Sequence, residues 1–120
     1  GAIESRGRGG TLLRSCPSLR PLLSDPSVTA LIAPNDLLGV QYMLLLSCAG
    51  IRPGRDLSLL SFDNRPEFSL YPLSTVDIGF ANLGYRLAHL CVGDVPVQAD
   101  AGRVIRARPV LVDRGSLTHG

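Results

Sequence analysis

The 120-residue sequence contains no lysine; all 12 of its basic residues are arginine. A Gly-rich phosphate loop ends in Lys followed by Ser or Thr, so that class of nucleotide site is excluded. No serine stands in a Gly-x-Ser-x-Gly elbow, and neither His89 nor His119 has a Ser, Cys or acid at a recognisable catalytic spacing. An enzyme is therefore not expected, and both histidines read as structural or surface residues. Cysteine is scarce: Cys16, Cys48 and Cys91 are odd in number, far apart and without metal-ligand spacing. Cys48 and Cys91 fall in apolar helical runs and read as buried free thiols, as suits a reducing compartment. No metal or other cofactor is expected.

Targeting signals are also missing. Gly1-Ala2-Ile3-Glu4-Ser5 has no apolar core of a signal peptide, and the lack of an initiator Met places the true start upstream. The richest apolar run, Leu37 to Ile51, is broken by Gln41, Ser47 and two glycines. It falls short of the roughly 20 residues that span a bilayer, so no membrane partner is expected. Arg6, Arg8, Arg14 and Arg20 oppose the single acid Glu4 in the first twenty residues. With neither aromatic interleaving nor a helix-turn-helix pattern, that strip reads as solvated surface rather than a nucleic-acid contact. There is no internal repeat.

What is present points to one globular α/β domain. Hydrophobic residues make up 45% of the chain and its formal charge is only +2, with a mean hydropathy of +0.22. Residues 1–10 are Gly/Arg-rich and read as frayed, and a helix over 11–23 is interrupted by Pro17 and Pro21. Val28 to Ala33 is a continuous apolar run, predicting a strand covered on both faces. Asn35 or Asp36 then caps a helix from Leu37 to Ala49, which Gly50 stops. That helix is apolar on nearly all sides, predicting burial or an interface. Strands follow at Leu57 to Phe62 and Ser74 to Ile78, separated by a proline-bounded polar loop. Phe80 to Val92 has helical apolar spacing, and Val104-Ile105 and Pro109 to Val112 read as one or two late strands. Alternation of this kind predicts a parallel sheet with flanking helices.

In such sheets ligands bind outside the carboxyl ends of the strands. Two acidic/amide pairs fall there: Asn35-Asp36 after the first strand and Asp63-Asn64 after the second. Asp63 is a strand-end carboxylate with no obvious local partner, and it is the leading candidate ligand contact. Asn35 reads either as a helix cap alone or as cap and ligand contact together. Asp36 is a third candidate, although an acid in a helix's first turn is favoured by the helix dipole alone. Arg65 and Glu67 in the next loop pair in solvent or line the cleft.

The ordered set Asn35-Asp36-Leu37, Ala49-Gly50-Ile51-Arg52-Pro53-Gly54-Arg55-Asp56-Leu57, Ser61-Phe62-Asp63-Asn64, Pro72-Leu73-Ser74-Thr75-Val76 and Arg108-Pro109-Val110-Leu111-Val112-Asp113-Arg114-Gly115-Ser116 resembles the LacI/GalR family of bacterial transcription regulators. It resembles the C-terminal part of their periplasmic-binding-protein-like effector domain. The resemblance implies two α/β lobes around a cleft, joined by crossover strands that act as a hinge. It implies that Asn35 and Asp63 contact effector hydroxyls. It further implies a sugar-like small-molecule effector, a homodimer in the full-length protein, DNA contact only through an N-terminal domain absent here, and a cytoplasmic location. On this reading residues 1–27 are a poorly defined N-terminal segment, 28–116 belong to the effector domain and 117–120 form a tail, so the chain reads as a fragment. Where many members place a Gln near the cleft, this chain has Asp77-Ile78-Gly79. A fragment of a transporter's periplasmic sugar-binding protein and a non-functional remnant are the alternatives.

Overall fold

The computed structural model describes Leu19 and residues 23–119. The readings for residues 1–10, most of 11–23, and Cys16 fall outside the described residues. In chain order the elements are strand β1 (Ala30–Ile32), helix α1 (Asp36–Cys48), strand β2 (Ser58–Phe62), a 3-10 turn (Pro66–Phe68), strand β3 (Ser74–Asp77), helix α2 (Phe80–Val92) and strand β4 (Val110–Val112). They form one four-stranded sheet in the order β1-β2-β3-β4.

The α/β class is as the sequence pattern indicates. β1 and β2 pair in parallel across the α1 crossover, with Leu31 opposite Leu59. β2 and β3 also pair in parallel, with Ser61 opposite Thr75, across a loop holding only the 3-10 turn. β4 runs antiparallel to β3, Asp77 facing Val110. The chain leaves the sheet after Asp77 and returns at Val110 beside the point of departure, so the returning strand must run the opposite way. Val104-Ile105 forms no strand.

Local chemistry sets the bounds of α1. Asn35 is in extended conformation (φ −158°, ψ 169°) and its Oδ1 accepts from Leu38 N at 3.0 Å, a standard N-cap. At the other end Ile51 N donates to Leu46 O (2.9 Å) and Gly50 N to Ser47 O (3.0 Å), with Gly50 at φ 79°. That is a Schellman close, which requires a left-handed residue where Gly50 stands.

The core lies between one face of α1 and the sheet: Leu31, Val40, Met43, Leu46, Leu57, Leu59 and Leu73, with Leu19. Leu46, Leu59 and Leu73 are each fully enclosed, and burial of such a side chain is worth about 1.5–3 kcal/mol. Gly39 permits close contact of helix and sheet, since a Cβ there would stand 2.8 Å from Leu73 Cδ2 and 2.9 Å from Ser61 Cβ.

Burial departs from the sequence pattern in four places. β1 is covered on one face only, with Ile32 67% exposed. α1 buries Asp36, Gly39, Val40, Met43 and Leu46, while Leu37 and Leu44 on its outer side are exposed. Cys48 and Cys91 are exposed thiols rather than buried ones: Cys48 lies off the buried face of α1, and α2 buries no residue at all. α2 has no buried residue: its apolar stripe is real, but among the described residues no layer packs over it. No helix among the described residues is long and apolar enough to cross a membrane.

Candidate functional site

The parallel strands β1, β2 and β3 end on one side of the sheet, and the polar residues that follow them gather there. Asp36, in the first turn of α1, is 2% exposed. Its Oδ1 accepts from Ser61 Oγ at 2.5 Å and Thr75 Oγ1 at 2.6 Å; its Oδ2 accepts from Arg65 N at 2.7 Å. One carboxylate thus ties α1 to β2, β3 and the loop after β2. Both of its oxygens are engaged internally, which gives Asp36 a framework role beneath the strand ends. Ser61 and Thr75 are themselves fully enclosed. Among the described residues no buried side-chain nitrogen or oxygen lacks a partner, as a buried polar cluster requires.

Asp63 is different. It is half-buried, its backbone N donates to Val76 O at 3.0 Å, and among the described residues its carboxylate has no hydrogen-bond partner. Its φ is 103° and that of Asn64 is 50°, a left-handed pair that costs energy in a non-glycine residue. The backbone bond to Val76 holds Asp63 at the end of β2 while its carboxylate is left open to solvent. Asn35 stands at the end of the adjacent strand, β1, half-buried, with its Oδ1 used in the cap. Its Nδ2 has no partner among the described residues. The fold therefore brings the strand ends bearing Asn35 and Asp63 side by side and places Asp36 below them. Arg65 and Glu67 form an exposed pair on the loop rim, the Arg65 guanidinium lying over the Phe68 ring at 5.7 Å.

The structure gives Asn64, Asp77 and Arg114 bonds that the sequence does not show. Asn64 Nδ2 donates to Asp77 Oδ2 at 3.0 Å, and Asn64 Oδ1 accepts from Arg114 Nη2 at 2.6 Å. The Asn64 amide, with the Gly79 N–H donating to Asp77 Oδ1 at 2.7 Å, holds the Asp77 carboxyl below its ordinary pKa. A second polar knot fastens the segment after β4. Ser116 Oγ donates to Leu59 O (2.6 Å) and accepts from Ser74 N (2.7 Å), while Ser74 Oγ donates to Asp113 Oδ1 (2.7 Å). Beyond it Thr118 N reaches Ser58 Oγ at 2.9 Å, so this end is tied to the sheet. The signal for the buried knots was a set of small polar side chains in or just after otherwise apolar strands: Ser61, Ser74 and Thr75 within them and Ser116 beyond β4.

His119 Nε2 lies 3.1 Å from Asp113 Oδ2, and Ser74 donates to the other oxygen of the same carboxylate. The acid thus stands between serine and imidazole, the imidazole does not touch the hydroxyl, and Ser74 is fully buried; a nucleophilic triad needs the imidazole in the middle. His89 Nδ1 meets Asp94 Oδ1 at 2.6 Å and its ring packs edge-on against Tyr85, which closes the end of α2. Among the described residues no three His, Cys, Asp or Glu side chains are grouped to hold a metal ion.

A carboxylate without a protein partner among the described residues thus stands at one strand end, beside an amide cap on the neighbouring parallel strand. The family model described as periplasmic binding protein-like domain matches residues 3–117. The chain belongs to that family. Among solved structures it is similar to a LacI-family transcriptional regulatory protein from Corynebacterium glutamicum, with 25% identity, a TM-score of 0.65, and coverage of 83% of this chain and 40% of that one. It is similar to the lac repressor dimer bound to operator and the anti-inducer ONPF, with 26% identity, a TM-score of 0.62, and coverage of 86% and 37%. A dimeric lac repressor with an 11-residue C-terminal deletion shares the fold at 24% identity and a TM-score of 0.62, with coverage of 89% and 40%. No curated protein sequence matches. The resemblance to LacI/GalR regulators read from the sequence is thus shown, and the chain spans about two fifths of the length of those structures.

Proposed function

We propose that this periplasmic binding protein-like chain is the C-terminal part of the effector-binding domain of a LacI/GalR-like transcription regulator, and that it senses a sugar or a related small polar molecule. The observation that carries the reading is the Asp63 carboxylate, half-buried on left-handed backbone and without a partner among the described residues, at the end of the strand next to Asn35. A carboxylate accepts from two sugar hydroxyls at once, and a primary amide offers donors as well as an acceptor. Asp36 supports the site from below by fixing the start of α1. Where many members place a Gln near the cleft, the stretch Asp77-Ile78-Gly79 offers the Asp77 carboxylate, already bonded to Asn64 and Gly79, and an apolar Ile78, which favours an effector with a less polar edge there.

The reading extends to the whole regulator as follows. The effector closes the cleft against a second lobe, and closure alters the DNA affinity of a separate N-terminal domain, a coupling between two sites. The exposed apolar side chains on the outer side of α1 and after the 3-10 turn, Leu37, Leu44, Leu70 and Tyr71, serve a homodimer. The protein works in the cytoplasm, and residues 28–116 are the effector-domain portion of this chain.

The test is a titration of the full-length regulator and its Asp63→Asn variant with D-glucose, D-galactose, D-fructose, D-ribose and D-xylose, followed by calorimetry. One sugar is expected to saturate the parent. Loss of a charge-assisted hydrogen bond, about 1.5–3 kcal/mol, is expected to weaken it in the variant by about 10-fold to 150-fold. Equal affinity in the two proteins removes Asp63 from the site.

A further inference from the structure

The residue after Asp63 is fastened more firmly than Asp63 itself. Asn64 is half-buried with φ 50°. Its backbone N donates to Thr75 Oγ1 at 3.3 Å, and Thr75 in turn donates to the buried Asp36. Its side-chain amide spans two strands: the nitrogen donates to Asp77, the last residue of β3, and the oxygen accepts from Arg114, two residues beyond β4. Both partners are anchored themselves. Asp77 takes the Gly79 N–H at the turn into α2. Arg114 donates to Leu73 O from its guanidinium at 3.4 Å and to Ser74 Oγ from its backbone at 3.0 Å.

β3 and β4 are the strands through which the chain leaves the sheet for α2 and returns, and Asp77 stands opposite Val110 at the exit. One side-chain amide therefore grips the outgoing and returning segments, and its residue directly follows the candidate ligand residue Asp63 in the chain. Only an amide fits between these partners. It gives a donor to one carboxylate and an acceptor to one guanidinium, while an aspartate there would face Asp77 with like charge.

We propose that Asn64 is a positioning residue that couples the Asp63 carboxylate to the β3–β4 crossover, so that neither the orientation of Asp63 nor that of the two strands changes without the other. Its functional meaning rests on reading Asp63 as the effector contact. A molecule that fixes the Asp63 carboxylate then stiffens the exit to α2, and a displacement of α2 reaches the ligand site through a single side chain.

The test is amide hydrogen exchange on the full chain without any sugar, comparing Asn64→Gly, Asn64→Asp and the swap Asn64→Asp with Asp77→Asn. Glycine accepts φ 50° and removes only the clamp. The reporters are the Asp63 amide, bonded to Val76 O, and the Gly79 amide, bonded to Asp77; the Leu59 amide, bonded to Ser116 O, is the internal reference. Asn64→Gly is expected to speed exchange at Asp63 and Gly79 about tenfold, the net worth of one such bond, with Leu59 unchanged. Asn64→Asp is expected to do the same by repulsion, and the swap, which restores an amide–carboxylate pair, to return both reporters to the parent rate. Parent-like exchange at both reporters in Asn64→Gly overturns the coupling, as does a swap no slower than Asn64→Asp. Because no sugar is present, such a failure leaves the effector reading to its own titration.

Discussion

Replacing Asp36 is expected to break the junction on which the strand ends rest. Asp36→Ala removes the acceptor of three donors: the Ser61 and Thr75 hydroxyls and the Arg65 backbone N–H. A buried donor left unsatisfied costs about 1–3 kcal/mol. Ser61 has a second acceptor, Ser74 O at 3.3 Å, and turns to it; the buried Thr75 hydroxyl is left without one, and the part-buried Arg65 N–H exchanges its bond for water, for a loss of about 1.5–4.5 kcal/mol. Asp36→Asn keeps one acceptor oxygen for the two hydroxyls but points its NH2 at the Arg65 N–H, so about 1–3 kcal/mol is lost. Against a typical total of about 5–15 kcal/mol, alanine is expected to lower the urea midpoint severely and asparagine moderately, in that order, read by circular dichroism at fixed slope. Equal midpoints for parent, Asp36→Asn and Asp36→Ala refute the account, because among the described residues the buried Thr75 hydroxyl donates to Asp36 alone.

Asp63→Gly relieves the left-handed backbone at φ 103° and is expected to raise stability by about 1 kcal/mol in urea unfolding while abolishing sugar binding; a less stable variant contradicts the strain argument. Gly54 and Gly84 separate steric from helical effects. A Cβ at Gly54 would stand 1.9 Å from the Gly115 carbonyl oxygen on a backbone at φ 84°, whereas nothing lies within 4 Å of one at Gly84. Gly54→Ala is expected to unfold the chain or cost more than about 3 kcal/mol, and Gly84→Ala, inside α2, to gain about 0.5–1 kcal/mol, both by thermal melting. Acid is expected to loosen the two carboxylate junctions. Asp77 is held low by Asn64 and then Gly79, and Asp113 by the Gly115 N–H, then Ser74, then His119. A depressed folded pKa contributes stability that is complete above the unfolded value of about 3.9 and is lost as pH falls through the folded value. The melting temperature of the parent should therefore drop below about pH 4, and Asp77→Asn and Asp113→Asn should each flatten that drop; unchanged slopes in both variants would dismiss the assignment.

The sequence by itself determined the order and type of the elements, because each rests on local physics. Asn35 caps α1 and Gly50 closes it through bonds within a few residues, and the apolar spacing of Phe80 to Val92 marks a helix with the bounds observed. It also marked Asn35 and Asp63 as strand-end residues, since an apolar run that halts at a polar pair is visible without any partner. Burial was not legible in the same way. Leu37 and Leu44 are as apolar as Val40 and Leu46, and only the position of the sheet decides which face of α1 is covered. The same holds for Cys48 and Cys91, and for Ile32 on β1. Nor does composition distinguish Asp36 from Asp63, two carboxylates beside amides at strand ends. One is satisfied by Ser61, Thr75 and Arg65, from segments 25 to 39 residues away, and becomes framework; the other is held on left-handed backbone without a partner and becomes the candidate contact. Asn64, Asp77 and Arg114 meet only because β4 returns antiparallel beside β3. Local propensity writes helices, caps and strands into the chain; which polar group is spent on the fold and which is left for a ligand depends on neighbours that only the tertiary structure brings together.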